Sequence, residues 1–260
     1  MNLILALFVT LSSGDVFAED LHSPDGLAFF PEGTVYVAEE TAGRVSGLSP
    51  GGTRFTVLDH LSSPEGIAWD PSFGILVVED VPQGRLISSA KGVLQEGIPN
   101  PEGVTVGSDG TVYYTWARHG GPSGICAWDP QGPDTVLTLP VGFMLSGIIQ
   151  GPDLMLYSCI ETPLVSRFVS VIQVDPSTGN WLPYAAGIAS AEGLRFSPDG
   201  ETLMVASEST GQVVAVDRNG EVMICIEVGS SIEDIIFLPD GSMLVSSDET
   251  GEILRFPFDR

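Results

Sequence analysis

An acidic residue precedes a glycine repeatedly along this 260-residue sequence. The pattern has six copies, with the glycine or its equivalent at positions 26, 66, 103, 147, 193 and 234, which we name the marker positions. The residue before the marker is acidic in five copies and serine in one: Asp25, Glu65, Glu102, Ser146, Glu192 and Glu233. Carboxylates crowded into a partly dry space must retain protons or bind a cation. A hard cation with oxygen ligands, Ca²⁺ before Mg²⁺, is the expected partner.

A purely structural interpretation competes with the cation site. Pro-Asp-Gly and Pro-Glu-Gly are ordinary turn sequences, in which the acid faces solvent and bonds nearby backbone amides. That interpretation suits any single one of these residues. Five acids at six equivalent positions favour a site, although the general acidity of the chain weakens the inference.

The elements that must position these acids are short strands in a repeating unit. Successive markers are 40, 37, 44, 46 and 41 residues apart. Each copy continues through an apolar strand, a turn such as Pro198-Asp-Gly200, and further strands such as 203–206 and 212–216. Four antiparallel strands per repeat are typical of a propeller blade. The sequence therefore predicts an all-β, six-bladed β-propeller, in which the residues before the markers converge on the central channel.

The two ends of the sequence indicate how the ring closes. The sixth repeat reaches 256–258 after its third strand, whereas residues 15–19 stand where an outer strand precedes the next repeat. We expect the N-terminal strand to complete the sixth blade, which removes an open sheet edge. One propeller domain is predicted over residues 15–260.

Composition excludes several function classes. The formal charge of −24 repels phosphate backbones, so nucleic acid is not an expected partner. No stretch has the length of a membrane span. The three cysteines lie in apolar strands without metal spacing, and their odd number argues against a disulfide framework.

Other polar residues are weaker candidates. Acids also follow the second strand of four repeats, and we interpret them as hairpin residues that bond nearby amides: Glu40, Asp80, Glu208 and Asp248. Glu40 and Asp80 could instead support the acidic ring from behind its ligands. His119, beside Arg118 in a loop of repeat three, could act as an acid or base, although a solvated loop histidine is the simpler interpretation. Ser146 could leave an opening in the acidic ring. Arg118, His119 and Ser146 are the candidate substrate-binding residues.

The segment 191–209 resembles the blades of the SMP-30/gluconolactonase/luciferin-regenerating-enzyme-like propellers, and the Pro-Glu-Gly-Ile-Ala unit at 64–68 is similar to NHL-repeat propellers. The resemblance implies a divalent cation in the channel and a catalytic Asp in a Pro-Asp-Gly unit. Carried onto this sequence, it assigns Asp25 as the base and four glutamates as metal ligands: Glu65, Glu102, Glu192 and Glu233. The asparagine ligands of that family are replaced by glutamate here, which would hold a metal tightly but blunt its Lewis acidity.

Two functions follow as expectations. The first is a metal-dependent hydrolase of lactones or esters, in which the cation polarises a carbonyl and Asp25 activates water. The second is a non-catalytic, NHL-like propeller that binds a small-molecule or protein partner on one face. A lyase or strictosidine-synthase-like activity is a third option without a residue in its favour.

The N-terminus bears on localisation. Residues 1–14 contain a short apolar run followed by small residues, as a signal peptide does, but they lack a basic residue before that run. Cleavage near Gly14 would give a secreted or periplasmic protein, and otherwise a cytoplasmic one is expected. We expect a monomer.

Overall fold

The structure is a computed structural model and describes residues 14–161 and 169–258. Six four-stranded antiparallel sheets surround a central axis. The strands of the first two blades are β2 (Pro24–Phe29), β3 (Val35–Glu39), β4 (Arg44–Leu48) and β5 (Arg54–Leu58), then β6 (Pro64–Asp70), β7 (Gly74–Glu79), β8 (Gly84–Ser88) and β9 (Gly92–Ile98). Those of the next two are β10 (Val104–Val106), β11 (Val112–Ala117), β12 (Ser123–Trp128) and β13 (Asp134–Leu139), then β14 (Met144–Gln150), β15 (Leu156–Glu161), β16 (Val171–Val174) and β17 (Trp181–Ala185).

Blade 5 contains β18 (Ala191–Phe196), β19 (Leu203–Ser207), β20 (Gln212–Val216) and β21 (Val222–Glu227). Blade 6 contains β22 (Ile235–Phe237), β23 (Met243–Ser247) and β24 (Glu252–Phe256), and its outer strand is β1 (Asp15–Ala18). Strand β1 pairs antiparallel with β24, with Asp15 opposite Arg255. The predicted six-bladed fold and its closure by the N-terminal strand are therefore confirmed.

The core lies between neighbouring blades. Leu137 on β13 and Leu145 and Ile148 on β14, for example, belong to one buried cluster that joins blades 3 and 4. Strands covered on both faces need apolar residues in succession, which explains runs such as that in β19. Among the described residues, no helix has the length and apolar character needed to cross a membrane.

Glycines at the marker positions let the inner strands approach closely around the axis. Gly66 donates its N–H to the Glu102 carbonyl of the next blade at 2.9 Å. A Cβ at Gly66 would overlap that carbonyl oxygen, and a Cβ at Gly103 would lie 2.6 Å from the Ser146 oxygen. The marker glycines thus place backbone against backbone from blade to blade, which narrows the channel.

We expect Gly66→Ala to lower the free energy of unfolding by about 2–3 kcal/mol, because the added methyl group must push two inner strands apart. Urea unfolding monitored by circular dichroism measures this. Gly51→Ala is the matched control, since the nearest atom to a Cβ there is Ser49 Oγ at 3.9 Å. Equal stabilities for the two variants would contradict the proposed role of close backbone packing.

Candidate functional site

In blades 1, 2 and 5, the acid before the marker lies at an irregularity in the innermost strand. In blade 1, Pro24 pairs with Glu39 and Leu27 with Val37, so one extra residue is inserted around Asp25 and Gly26. The same register shift precedes Ile67 in blade 2 and Leu194 in blade 5. A β-bulge of this kind redirects a side chain away from the sheet. These bulges direct Asp25, Glu65 and Glu192 toward the channel. Glu102 and Glu233 line the same channel without such a bulge, and we name all five the inner acids.

A second set of acids reaches the same end of the channel from the ends of the second strands. We name them the strand-end acids: Glu40, Asp80, Glu161, Glu208 and Asp248. Backbone hydrogen bonds fix their position, as Glu40 N donates to Ser23 O at 3.0 Å and Asp80 N to Ser63 O at 2.8 Å. These bonds tie each strand end to the segment just before an inner acid. The two acids of one blade therefore enter the channel together.

The hairpin interpretation of these acids was wrong in its main point. Within the described part of the chain, Asp248 alone among these four acids accepts from a nearby backbone amide, Glu249 N at 2.7 Å. The acids that stabilise the blades are their neighbours. Glu39 accepts from Arg44 at 2.8 Å and Glu79 from Arg85 at 2.6 Å. The next residues, Glu40 and Asp80, point into the channel because successive side chains of a strand alternate in direction.

Together these residues enclose a cavity of about 280 Å³, which we name the acidic cavity. Asp234 and Arg195 also line it. Its described lining thus has eleven carboxylates, namely five inner acids, five strand-end acids and Asp234, against one base, Arg195. Eleven ionised carboxylates cannot share so small a space without compensation.

Burial shifts the protonation of the inner acids. Desolvation, followed by repulsion from neighbouring carboxylates, raises the pKa of Asp25, Glu65, Glu102 and Glu192 well above the ordinary range. The same causes, with Asp25 and Asp248 as the main repelling neighbours, raise the pKa of Glu233 to about 10. Without a cation, the cavity therefore retains protons at neutral pH.

The stability of the cation-free protein is expected to fall as pH rises from 5.5 to 8.5. The unfolded chain releases the Glu233 proton near pH 4.3, whereas the folded protein retains it toward pH 10, and the pKa values of the other inner acids are raised in the same direction. For each extra proton that the folded state holds, the free energy of unfolding falls by about 1.4 kcal/mol for every unit by which the pH rises between these two pKa values. Differential scanning calorimetry should show a decrease in melting temperature of more than about 5 °C.

Acids whose pKa is lowered in the folded protein affect stability outside the range from pH 5.5 to 8.5. Burial alone would raise the pKa of Glu39, but hydrogen bonds from Arg44 and Ser46 outweigh burial and lower it. Its stabilising contribution is present above the unfolded value and is lost only in more acidic solution. A melting temperature that is constant or rises between pH 5.5 and 8.5 would therefore show that the cavity carboxyls are not protonated as described.

The donor set suits a divalent cation. One carboxylate oxygen from each of Glu161, Glu192 and Glu208 lies within 4.8 Å of the others, so one ion could contact all three. Asp80 Oδ1 is buried and has no hydrogen-bond partner among the described residues. A buried carboxylate oxygen of this kind is suited to coordinating an ion. Oxygen-only ligands of high charge favour Ca²⁺.

The predicted metal ligands share this cavity, but only Glu192 belongs to the closest trio of oxygens. Glu65, Glu102 and Glu233 line the same cavity, as does Asp25, the predicted base. Glu161 was absent from the prediction, although a sequence signal existed. Glu40, Asp80, Glu161 and Asp248 each lie 14 residues after their marker, and Glu208 lies 15 after Gly193.

The candidate substrate-binding residues lie elsewhere. Ser146 is buried and its Oγ donates to Ala191 O at 2.9 Å, so its side chain joins blades 4 and 5 and is not among the residues lining the cavity. Arg118 and His119 are exposed in the loop after β11. Ala117 takes the strand-end position in that blade, so the loop begins at the same end of the channel as the acids. The irregular stretch 160–167 of repeat four is the other loop that the sequence predicts to meet ligands. Its residues 162–167 lie outside the described residues.

Asp234 occupies the marker position of blade 6. Its carboxylate accepts from Leu27 N of blade 1 at 2.9 Å and from Ile235 N at 2.7 Å. Arg195 Nη2 lies 3.6 Å from it. Burial raises the pKa of Asp234, and Arg195 opposes that shift. Asp234 thus joins blades 5, 6 and 1 where the ring closes.

Solved structures resemble this geometry at low sequence identity. A gluconolactonase from Xanthomonas campestris matches with a TM-score of 0.78 and 14% identity, over 98% of this chain and 93% of that one. The chain shares its fold with a gluconolactonase. At the level of the fold, this confirms the SMP-30/gluconolactonase-like resemblance. No family model and no curated protein sequence matches the chain.

The same fold serves other proteins. A virginiamycin B lyase from Staphylococcus aureus matches with a TM-score of 0.67 and 14% identity, over 95% of this chain and 87% of that one. A chain of a nidogen/laminin complex matches with a TM-score of 0.64 and 19% identity, over 77% and 78% of the two chains. These likenesses concern the fold, so function must be argued from the site.

Proposed function

We propose that this protein is a divalent-cation-dependent hydrolase of lactones or esters, with Ca²⁺ as its preferred ion. The observation that carries the proposal is the convergence of carboxylates from all six blades on one cavity of about 280 Å³, with three oxygens within 4.8 Å of one another. Glu161, Glu192 and Glu208 would hold the ion. When bound, the ion would polarise the substrate carbonyl as a Lewis acid.

Asp25 supplies the base in this proposal. A water oxygen attacks the carbonyl carbon while the Asp25 carboxylate accepts a proton from that water. The bond between that carbon and the ring or ester oxygen then breaks. The leaving oxygen takes the proton back from Asp25, which yields a hydroxy acid or an acid and an alcohol. The new carboxylate is repelled by the surrounding acids, which favours its release.

The rival function is that of a non-catalytic propeller, in which the cavity binds an ion but no reaction takes place. The cavity has more carboxylates than one ion can coordinate, and this excess of negative charge favours tight binding of an ion with little Lewis acidity. The propeller would then hold a structural ion and bind a partner on one face.

Turnover assays on the cation-free protein separate these functions. Aldonolactones and aryl esters are supplied as substrates, with Ca²⁺, Mg²⁺, Mn²⁺ or Zn²⁺ added back in turn. Acid release is followed with a pH indicator and corrected for spontaneous hydrolysis. Cation-dependent turnover of any substrate supports the hydrolase. Cation binding without turnover of any compound favours the binding propeller.

A further inference from the structure

A second cavity, of about 430 Å³, adjoins the acidic cavity along the channel, and we name it the aromatic cavity. It is lined by later residues of the inner strands and shares Ile67 and Arg195 with the acidic cavity. Its lining includes no Asp or Glu among the described residues, in a chain with 34 acids. The two parts of the channel are therefore chemically different.

Four aromatic residues, each partly exposed, belong to its lining: Phe29, Trp69, Phe196 and Phe237. Neighbouring rings hold three of them in edge-to-face contacts. Phe30 lies 4.7 Å from Trp69, Tyr157 lies 5.0 Å from Phe196 and Phe258 lies 4.9 Å from Phe237, measured between ring centroids. Rings fixed in this way offer apolar area without losing freedom on binding.

Arg195 is the one charged residue in this lining. Its Nε donates to Ile235 O at 3.2 Å, and its Nη2 lies 3.6 Å from Asp234, too far for a hydrogen bond. A guanidinium carries five N–H donors, so Arg195 retains donors for a ligand. Asp234 partly offsets its charge.

We propose that the aromatic cavity binds an uncharged planar aromatic molecule, with a hydrogen-bond acceptor such as a carbonyl oxygen directed at Arg195. The volume and the combination of aromatic residues with a single guanidinium are typical of small-molecule sites. A ligand anion would be repelled by the carboxylates of the adjoining acidic cavity. A ligand cation would meet Arg195. An uncharged acceptor avoids both repulsions.

Three matched probes test the proposal: 2-naphthamide, 2-naphthoate and 2-methylnaphthalene. Binding to the full chain is followed by the indole resonance of Trp69 in ¹H–¹⁵N spectra, identified with Trp69→Phe. We expect saturable binding of 2-naphthamide, with 2-methylnaphthalene about 10-fold weaker because it lacks the acceptor. We expect 2-naphthoate to bind more weakly than the amide as well.

Variants locate the site. Phe237→Leu should weaken 2-naphthamide binding about 5-fold through the lost aromatic wall, and Arg195→Met should remove the preference for the amide over 2-methylnaphthalene. Leu182→Ala is the control, since Leu182 is exposed on the outer strand β17. No saturable shift of Trp69, tighter binding of 2-naphthoate, or equal binding of the amide and the hydrocarbon by the wild-type protein would overturn the proposal. These three outcomes are measured on the wild-type protein, so they test the proposal even if Arg195→Met does not fold.

Discussion

Ca²⁺ added to the cation-free protein at pH 8 is expected to raise its melting temperature by about 10 °C. An ion whose free concentration is about 1,000 times its Kd stabilises the folded state by about 4 kcal/mol. In a domain of this size, 1 kcal/mol corresponds to about 2–4 °C in melting temperature. The ion replaces protons in the acidic cavity and offsets the mutual repulsion of its carboxylates. Differential scanning calorimetry across a Ca²⁺ titration, with elemental analysis for stoichiometry, measures the effect.

Substitution of the trio separates a metal site from ordinary acidity. Glu192→Gln and Glu208→Gln should reduce the Ca²⁺-induced shift to less than about 3 °C, because each removes one charged ligand. Without cations, Glu192→Gln should melt higher than wild type at pH 8, because its folded state no longer has to keep protonated a carboxyl that the unfolded chain ionises.

The matched control for these variants is Glu96→Gln, which makes the same change at an exposed position on β9. It should leave the Ca²⁺ shift unchanged. If Ca²⁺ moves no melting temperature and elemental analysis finds no bound ion, the metal site is refuted. A loss of the shift in Glu96→Gln as well would reduce the effect to general charge screening.

Asp25→Asn is expected to lower kcat on the best lactone or ester by about 100- to 1,000-fold, because the amide cannot accept a proton from water. The substitution preserves the shape of the side chain. The Ca²⁺-induced rise in melting temperature should persist, since the trio of Glu161, Glu192 and Glu208 is intact. Steady-state kinetics and calorimetry on the same preparation measure the two effects.

Asp20→Asn is the control for that variant. Asp20 is exposed and has a positive φ of 59°, a conformation that asparagine tolerates well. Its kcat should match wild type. Undiminished turnover in Asp25→Asn would assign the base to another carboxylate, whereas loss of both turnover and the Ca²⁺ shift would make Asp25 a ligand.

The fold could be predicted because the information that specifies it is local and repeated. Each blade repeats the same order of strand, turn and strand, and the marker glycine recurs where backbones must nearly touch. The inner acids could be found for the same reason, as each lies directly before a marker. Closure by β1 followed from counting strands in the sixth repeat.

The strand-end acids were harder to interpret because their direction depends on contacts between distant segments. In sequence, Glu40 is simply an acid in a turn. The bond from its N–H to Ser23 O turns that strand end toward the channel. Glu161 was missed because its repeat is irregular after that residue. Ser146 showed the converse, since its hydroxyl bonds to Ala191 O in the next blade and not to the cavity.

The sequence by itself determined the number of blades, the closure of the ring and the five acids that face one another across the axis. These features depend on periodicity, which a chain shows in one dimension. The tertiary structure decided which acids stabilise blades and which share a cavity. Glu39 and Glu40 are neighbours of one type, yet the first pairs with Arg44 and the second lines the channel. Desolvation and repulsion act through space, so the protonation of the acidic cavity, and the cation binding that we propose for it, emerge only when six blades bring their carboxylates together.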